Sequence, residues 1–466
     1  MPRTRSPADL SESIACQRSG VEARCLSVGP GARRLDLNGA GLTHLPPEVY
    51  GLADTLEVLN LSDNALTALP HDLPRLHRLK VIFCSGNPFT HLPEVLGECP
   101  ALEMVGFKSC QLKHVPGASL PPTLRWLTLT DNQLTQLPSE LGQRPALQKL
   151  MLAGNQLTNL PDTLAQARRL ELIRLSANQV TRLPGWLTEL PALAWLALSG
   201  NPLGWSGMAN HNDTQPALPS VPWAGLRVGE RLGEGASGHI HRVEWDGASE
   251  AGNPAWALKL FKGAVTSDGL PEHELAASVA AGPHPALCTP VATLTDHPLG
   301  RLGMLLPLVP SGCVPLAGPP SLDSCTRDVY APGLRLLPGV ALRLLRSVAS
   351  AVAHLHARGV LHGDLYAHNI LWHPGTGHAL LSDMGAATVL PAALSAGNET
   401  LRRALQAQEV LALGHLMTEV LTRLHGTDDL SLPTGSTLAA WARACCAPHP
   451  PERPTAAAVL AALNFD

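Results

Sequence analysis

The chain has 466 residues, enough for two or three domains, and 45% of them are hydrophobic, which supplies apolar material for folded cores. Charged residues make up 15% and the formal net charge is −4, so the basic excess typical of nucleic-acid-binding proteins is absent. No stretch of the sequence approaches the roughly 18 uninterrupted apolar residues that a membrane-spanning helix needs. We therefore expect neither a nucleic-acid partner nor a membrane span.

The cysteines and the N-terminus indicate the compartment. The ten cysteines form no CxxC pair and no Cys/His spacing suited to zinc, which favours free thiols in a reducing environment. The N-terminus carries charge but lacks the apolar core of a secretory signal. We expect a cytoplasmic protein, and delivery into a host cell stays open. The excess of Arg over Lys favours a GC-rich, bacterial genome.

A repeat of about 23 residues fills residues 33–205, with copies such as LRWLTLTDNQLTQLPSELGQRPA and LQKLMLAGNQLTNLPDTLAQARR. This pattern resembles leucine-rich repeat proteins of the LPxxL type, which implies an α/β repeat solenoid, the leucine-rich repeat horseshoe. Each repeat offers one short strand whose leucines are buried only when neighbouring repeats stack. The slot after the strand, whose Asn we expect to bond backbone groups, holds Ala40, Asn64, Asn87, Cys110, Asn132, Asn155, Asn178 and Asn201.

The repeat is bounded by two other kinds of sequence. Residues 1–32 contain no repeat, and we expect this N-terminal segment to be partly disordered. Residues 206–225 are rich in Gly, Pro, Asn and Ser, which predicts a linker. Residues 226–466 carry a series of short motifs in a fixed order and form the second domain.

The first of these motifs is a glycine-rich loop. Gly233, Gly235 and Gly238 form a GxGxxG pattern between the strand-like LRVGERL and HIHRVEW segments. Alone this is weak evidence, because ordinary hairpins and dinucleotide-binding turns also use it. In a dinucleotide-binding turn, however, a helix should follow. Strand, glycine loop and strand resembles the protein-kinase loop that covers nucleotide phosphates, with Ile240 in the place of the usual Val.

The second motif is a lysine in an apolar strand. Lys259 lies in AWALKLF, where a buried lysine is costly unless it is paired. The kinase resemblance supplies phosphates and a helix carboxylate as its partners and places Ala257 against adenine. The next helical segment, PEHELAASVAA, offers Glu274 as the carboxylate, with Glu272 as the alternative.

The third motif is HGDLYAHN, residues 362–369, followed by Ser382-Asp383-Met384-Gly385. It resembles the H-R-D-L-x-x-x-N loop and D-F-G segment of protein kinases, which implies an α+β two-lobed fold over 226–466. The resemblance makes Asp364 the catalytic residue that orients the acceptor hydroxyl, and Asn369 and Asp383 the Mg²⁺ ligands. The implied cofactors are ATP and Mg²⁺, and the implied activity is a protein kinase, serine/threonine more than tyrosine.

The chain departs from the kinase pattern at several points. Gly363 replaces the arginine that receives an activation-loop phosphate in many kinases, Tyr366 takes a slot that is usually Lys, and no A-P-E triplet occurs. The loop also resembles that of aminoglycoside and choline phosphotransferases. Two alternatives to a protein kinase therefore stay open: a small-molecule phosphotransferase, and a pseudokinase scaffold that acts through the repeats.

The repeats place a row of apolar side chains on the predicted concave face, although an exposed row is ordinarily mostly polar. In this position each strand places an outward-facing residue, since side chains alternate along a strand. Such a stripe favours docking of a protein substrate or partner. The alternative is that it is covered by the chain's own N-terminal segment or kinase-like domain. The row is Val58, Val81, Met104, Trp126, Leu172 and Trp195, interrupted by Lys149.

Overall fold

The computed structural model describes residue 29 and residues 31–203, 218–235, 237–245, 256–263, 265–266, 268–390, 396–425 and 433–464. The predicted N-terminal segment lies almost wholly outside these ranges. The chain forms two compact units, Met1–Arg169 and Leu170–Asp466. The seventh and eighth repeats thus belong to the same unit as the C-terminal domain.

The first unit contains six of the predicted repeats. Each contributes a three-residue strand with a buried middle residue, followed by a short 3₁₀ helix, and successive strands pair in parallel and in register. The strands are β1 (Arg34–Asp36), β2 (Val58–Asn60), β3 (Val81–Phe83), β4 (Met104–Gly106), β5 (Trp126–Thr128) and β6 (Lys149–Met151). The 3₁₀ helices are Pro47–Leu52, Leu73–Arg75, Glu94–Glu98, Gly117–Ser119, Ser139–Gln143 and Asp162–Gln166.

The expected asparagine contacts are confirmed. The Asn87 side-chain amide donates to the carbonyls of Leu61 and Cys84, each at 2.9 Å, and its oxygen accepts from the Leu66 N–H at 2.9 Å. At the slot where the sequence has Cys110, the thiol donates to the Cys84 carbonyl at 3.5 Å. These bonds satisfy backbone groups buried at the turn, which is why Asn recurs there.

The second unit begins with repeats seven and eight and continues into a six-stranded sheet. Strands β7 (Leu172–Arg174) and β8 (Trp195–Ala197) pair in parallel, and a 3₁₀ helix, Gly185–Glu189, lies between them. The sheet consists of β9 (Ser220–Pro222), β10 (Leu226–Glu234), β11 (Gly238–Trp245), β12 (Trp256–Phe261), β13 (Ala292–Thr295) and β14 (Gly303–Pro307), with helix α1 (Pro271–Ala281). The order of its strands is β10-β11-β12-β14-β13-β9.

A helical lobe completes the second unit. Helix α2 (Pro338–Ala357) starts with Pro338 at the first helical position, where the missing N–H costs no hydrogen bond. The helices are α2 (Pro338–Ala357), α3 (Ala396–Leu421), α4 (Pro433–Cys445) and α5 (Ala456–Leu463). The short strands are β15 (Val314–Pro315), β16 (Val360–Leu361), β17 (Ile370–Trp372), β18 (Ala379–Leu381) and β19 (Thr388–Val389). Repeat strands, a mixed sheet and a helical lobe confirm the predicted fold class.

The structure differs from the sequence prediction in the linker. Residues 220–222 form β9, which pairs in parallel with β13 in the six-stranded sheet. Val221 is 2% exposed and packs in one apolar cluster with Val243 and Leu258. The surrounding prolines hid this strand, because they are more typical of connectors.

Two further observations concern the chain's chemistry. Within the described ranges, no helix is long and apolar enough to cross a membrane. The eight cysteines of those same ranges form no disulfide.

Candidate functional site

The glycine motif forms the hairpin between β10 and β11, which pair antiparallel. The Gly235 N–H donates to the Gly238 carbonyl at 2.9 Å and closes the turn. A Cβ on Gly238 would lie 2.7 Å from the Leu260 carbonyl oxygen, so the sheet itself requires this glycine. A Cβ on Gly233 or Gly235 would meet nothing within 4 Å. These two glycines therefore leave open space on which a phosphate group can approach the backbone.

Lys259 is held on β12 in a buried ion pair. Its ammonium group donates to Glu274 Oε1 of α1, and the two residues are 8% and 2% exposed. The other carboxylate oxygen, Glu274 Oε2, is buried and has no partner among the described residues. Burial raises the pKa of Glu274, and Lys259 opposes that shift. The structure thus selects Glu274 rather than Glu272 as the partner of the lysine.

Three neighbours of Lys259 share its face of the sheet. Ile240 on β11 and Met304 on β14 stand directly across from Lys259 in the antiparallel register. Ala257 precedes Lys259 by two residues on β12 and is 6% exposed. Because residues two apart and residues directly opposite point to the same side, this face is lined by small and apolar side chains around one cation.

The segment from His362 to Asn369 follows β16 and is fixed by its own side chains. The Asn369 amide donates to Asp364 Oδ2 at 2.8 Å and to the Asp364 carbonyl at 2.9 Å. His362 Nε2 donates to the Ser382 carbonyl at 3.0 Å, and its Nδ1 accepts from the Asp364 N–H at 3.3 Å. The segment before Asp383 is thereby tied to the loop that carries Asp364.

Glu409 of helix α3 anchors the same loop from below. Its Oε1 accepts from the Gly363 N–H at 2.7 Å and its Oε2 from His356 Nε2 at 2.8 Å. Burial would raise the pKa of Glu409, but the hydrogen bonds from His356 and the Gly363 N–H, together with the charges of His356 and His362, lower it. Glu409, in the middle of α3, therefore binds the loop backbone as a carboxylate.

Asp383 adopts a backbone conformation that L-residues rarely use. Its φ is +61°, and its Oδ1 accepts from the Gly385 N–H at 3.1 Å. Asp383 lies close to the Lys259–Glu274 pair, since its charge acts on Glu274. A Cβ on the nearby Gly385 would lie 3.7 Å from Asp268 Cβ and 3.8 Å from Glu274 Oε2. Left-handed non-glycine residues cluster at functional sites because the surrounding structure must hold them there.

Sequence reasoning missed Arg174, which the structure places against Asp364. Arg174 lies at the end of β7, and its side chain is 3% exposed. Its Nη2 donates to Asp364 Oδ1, its Nη1 to the Gly363 carbonyl at 2.9 Å, and its Nε to Asp268 Oδ1 at 2.7 Å. The loop 360–370 contains no Lys or Arg of its own. The arginine in contact with Asp364 is therefore supplied by a repeat.

The two carboxylates bound by Arg174 differ in their electrostatics. Burial would raise the pKa of Asp364, but the guanidinium of Arg174 holds it below its usual value. Burial raises the pKa of Asp268, and the negative charges of Asp364 and Asp383 add to that shift against the pull of Arg174. The site thus places two carboxylates on one guanidinium with the charge of Asp383 close to Asp268, an arrangement that a further cation would stabilise.

Trp195 of β8 is also used within the second unit. It is 2% exposed, its Nε1 donates to the Leu365 carbonyl at 3.0 Å, and its ring stacks on Tyr366 with 4.2 Å between centroids. Of the alternatives that the apolar row left open, contact with the chain's own kinase-like part is the one observed here. Trp195 is therefore not available as a docking residue for a separate protein.

The rest of the apolar row is less exposed than expected. Val81, Met104 and Leu172 are 4%, 3% and 2% exposed, whereas Val58 and Trp126 are half-buried. In the first unit, strands in register place Val58, Val81, Met104 and Trp126 side by side, so neighbours cover one another. The Lys149 ammonium lies 4.0 Å from the Trp126 ring centroid. The row is therefore only partly exposed, and its use as a docking surface stays a prediction.

Family models match two parts of the chain. Leucine-rich repeat models match residues 55–76, 122–180 and 145–203. A model described as the lipopolysaccharide kinase (Kdo/WaaP) family matches residues 316–388. That range contains Asp364, Asn369 and Asp383.

A curated protein also matches part of the chain. It is a Dictyostelium discoideum protein described as probable inactive serine/threonine-protein kinase roco10, 31% identical over 123 residues. The match covers 25% of this chain and 5% of that protein.

Proposed function

We propose that this chain, in which leucine-rich repeats precede a kinase-like domain, is an ATP-dependent protein kinase that transfers the γ-phosphate to a protein hydroxyl, serine or threonine more than tyrosine. The observation that carries the proposal is the convergence of the buried Lys259–Glu274 pair with Asp364, Asn369 and Asp383. Phosphoryl transfer asks the protein for positioning and charge neutralisation, and these groups supply both.

The donor set suits Mg²⁺ brought in with the nucleotide. Asp383 and Asn369 offer a carboxylate and an amide oxygen, the ligand types that Mg²⁺ prefers. No three His, Cys, Asp or Glu side chains form a metal site within the described ranges. Mg²⁺ is typically held by one or two carboxylates plus substrate phosphates, which is compatible with the donors that Asp383 and Asn369 offer.

Each residue of the site has a part in this chemistry. Lys259, kept in place by Glu274, would position the α- and β-phosphates beneath the glycine hairpin, with Ala257 and Ile240 against the base. Asp364 would orient the acceptor hydroxyl and accept its proton. The bound Mg²⁺ supplies charge neutralisation on the phosphates, and Asn369 also fixes the plane of the Asp364 carboxylate.

The test is phosphate transfer from labelled ATP with Mg²⁺ and a generic protein acceptor, measured for the full chain, Asp364→Asn and Lys259→Met. We expect Asp364→Asn to lower kcat by about 100-fold or more, the usual loss for a proton-accepting group, while ATP binding persists. Lys259→Met should weaken nucleotide use. Equal rates for all three proteins would refute the kinase assignment.

A second acceptor class has its own support. Residues 316–388 match the lipopolysaccharide kinase family, and Trp195 covers Tyr366 beside the catalytic loop, which narrows the approach for a peptide. A sugar or other small hydroxyl compound is therefore the runner-up acceptor. Running the same assay with protein and with sugar acceptors separates the two. ATP binding without transfer to any acceptor would instead indicate a scaffold, the role compatible with the name of the Dictyostelium protein.

The repeats of the first unit are the proposed site of partner recruitment, because such repeats commonly mediate protein interactions. Val58 and Trp126 are the half-buried members of the apolar row there. We expect Trp126→Ala to raise KM for the physiological protein acceptor while transfer to a generic acceptor stays unchanged. An unchanged KM would remove this surface from the proposal.

A further inference from the structure

Arg174 occupies a position that ordinary repeat packing does not explain. It is a charged residue with 3% of its side chain exposed, and each of its three guanidinium nitrogens donates to an acceptor outside the repeats. A buried guanidinium is costly unless its charge is paired and its donors are satisfied. Here both conditions are met by the site that would transfer phosphate.

The bonds from Arg174 complete the fixing of Asp364. Asp364 Oδ1 accepts from Arg174 and Oδ2 from Asn369, so the carboxylate plane is defined by one donor on each oxygen. The same guanidinium also binds the Gly363 carbonyl, which holds the backbone just before the carboxylate. The planar fork of arginine suits such multiple contacts, whereas a lysine would supply one point charge.

Arg174 also separates two negative charges. Asp268 and Asp364 both lie against its guanidinium, on Nε and Nη2 respectively. Without the arginine these two carboxylates would lose their shared positive partner and repel each other. The expected consequence of its loss is a displaced Asp364.

Contacts of the eighth repeat hold the neighbouring repeat strands against the kinase-like part of the unit. Trp195 binds the Leu365 carbonyl and stacks on Tyr366, and the Leu198 N–H donates to Thr388 Oγ at 3.0 Å. The eighth repeat thus contacts the loop 362–369 and Thr388 of β19, on either side of the site.

We propose that Arg174, contributed by the seventh repeat, is a positioning residue for phosphoryl transfer that holds the Asp364 carboxylate toward the acceptor hydroxyl. This inference rests on the proposed function. It makes the repeats part of the catalytic apparatus rather than a recruitment module alone.

The experiment compares Arg174→Gln with a matched control, Arg327→Gln, in the full chain. Arg327 is an arginine of the same interface, paired with Glu171 at 3.0 Å and lying over Trp195, but it makes no bond to Asp364. For each protein, kcat, KM for MgATP and the melting temperature are measured, with Arg174→Lys as the conservative variant.

We expect Arg174→Gln to lower kcat at least about tenfold, because a small misplacement of a reacting group costs that much or more. KM for MgATP should stay within about twofold, since the Lys259 pair is not touched. Arg327→Gln should keep kcat within about twofold. Arg174→Lys should give an intermediate rate, because it keeps the charge and loses the fork. A purely structural role would not split kcat from KM in this way.

Three results would overturn the inference: an unchanged rate in Arg174→Gln, a higher rate, which would mean that the arginine restrains the site, or an equal loss in Arg327→Gln. If the parent chain transfers phosphate to no acceptor, the proposed function falls first and this inference with it, a result distinct from an active parent with an active Arg174→Gln. If Arg174→Gln does not melt cooperatively, the double variant Asp268→Asn/Arg174→Gln is compared with Asp268→Asn alone. The Asp268→Asn substitution removes the repulsion between the Asp268 and Asp364 carboxylates.

Discussion

At Gly363, the loop 362–369 passes close to the eighth repeat. The φ of Gly363 is +72°, and a Cβ there would lie 2.5 Å from the Ala386 carbonyl oxygen and 2.9 Å from that of Leu196. From the sequence, this glycine indicates only the loss of an arginine that could receive a phosphate. The structure adds the physical reason, because any side chain at this position would collide with two backbone segments.

We expect Gly363→Ala to destabilise the chain by about 2 kcal/mol or more, from a left-handed backbone and a backbone clash together. Gly185→Ala is the matched control, since a Cβ there meets nothing within 4 Å. That variant should change the free energy of unfolding by no more than about 0.5 kcal/mol. Chemical denaturation of both variants and the parent measures the difference, and equal stabilities would contradict the close approach.

At this scale the sequence predicted the residues that lie in short motifs and missed those that act across the chain. Lys259 and Glu274 are 15 positions apart and could be paired from a strand and the helix after it. Arg174 and Asp364 are 190 positions apart, and Arg174 stands in an ordinary outward slot of a repeat strand. One signal was present in the sequence, namely a loop with two expected cations replaced by Gly363 and Tyr366.

Helix α3 and the segment that precedes α5 contact repeats seven and eight at several points. The His415 ring lies 5.7 Å from the Trp195 ring, Gln408 donates to the Leu187 carbonyl at 3.3 Å, and Arg453 donates to the Pro191 carbonyl at 2.7 Å. Arg453, from the segment that precedes α5, thus binds the backbone of a repeat.

The pH dependence of stability should report on His415. Burial lowers its pKa to about 3, and the charges of Arg327 and Arg453 add to that shift. The unfolded chain binds this proton near pH 6.5, before the folded chain does, so folding loses about 1.4 kcal/mol for each pH unit below that value. Above pH 6.5 the histidine contributes no pH dependence.

Denaturation of the parent and of His415→Gln between pH 8 and pH 4.5 tests this. The variant should lose less stability per pH unit below 6.5, and the two slopes should agree above pH 7. Parallel curves over the whole range would show that His415 takes up its proton without cost in the folded chain.

Elements with a strong period or a fixed motif were predictable, whereas elements defined by their partners were not. The repeat strands and the β10–β12 sheet follow from their patterns. Strand β9 is recognisable only beside β13. In the sequence, Thr388 is an ordinary threonine a few residues after Asp383. In the structure it is 2% exposed in β19 and its hydroxyl accepts from the Leu198 N–H, so this hydroxyl is not free to be phosphorylated.

At the scale of the whole molecule, residues 170–203 belong to the same compact unit as the kinase-like domain. The contacts of Arg174, Trp195 and Leu198 with that lobe are buried and specific. Segments that share such contacts open together, because neither side can leave without exposing the other.

Hydrogen exchange should therefore give the same opening free energy for peptides from β7–β8 and from residues 360–369. Arg174→Gln should lower both values together, while peptides from β2–β4 of the first unit serve as the internal reference. Exchange of β7–β8 at a clearly lower free energy than the loop would show that the repeats undock without disturbing the site.

The contacts of the last two repeats with the loop 362–369 also restrict which changes in repeat number the fold can accept. Solenoids commonly gain or lose units by duplication, since each unit contacts only its neighbours. Insertion of one extra unit between Arg174 and Trp195 would leave only one of these two residues in register with the loop. Recombination within residues 33–169 carries no such penalty. We therefore expect the number of repeats to tolerate change within residues 33–169 and not within residues 170–203.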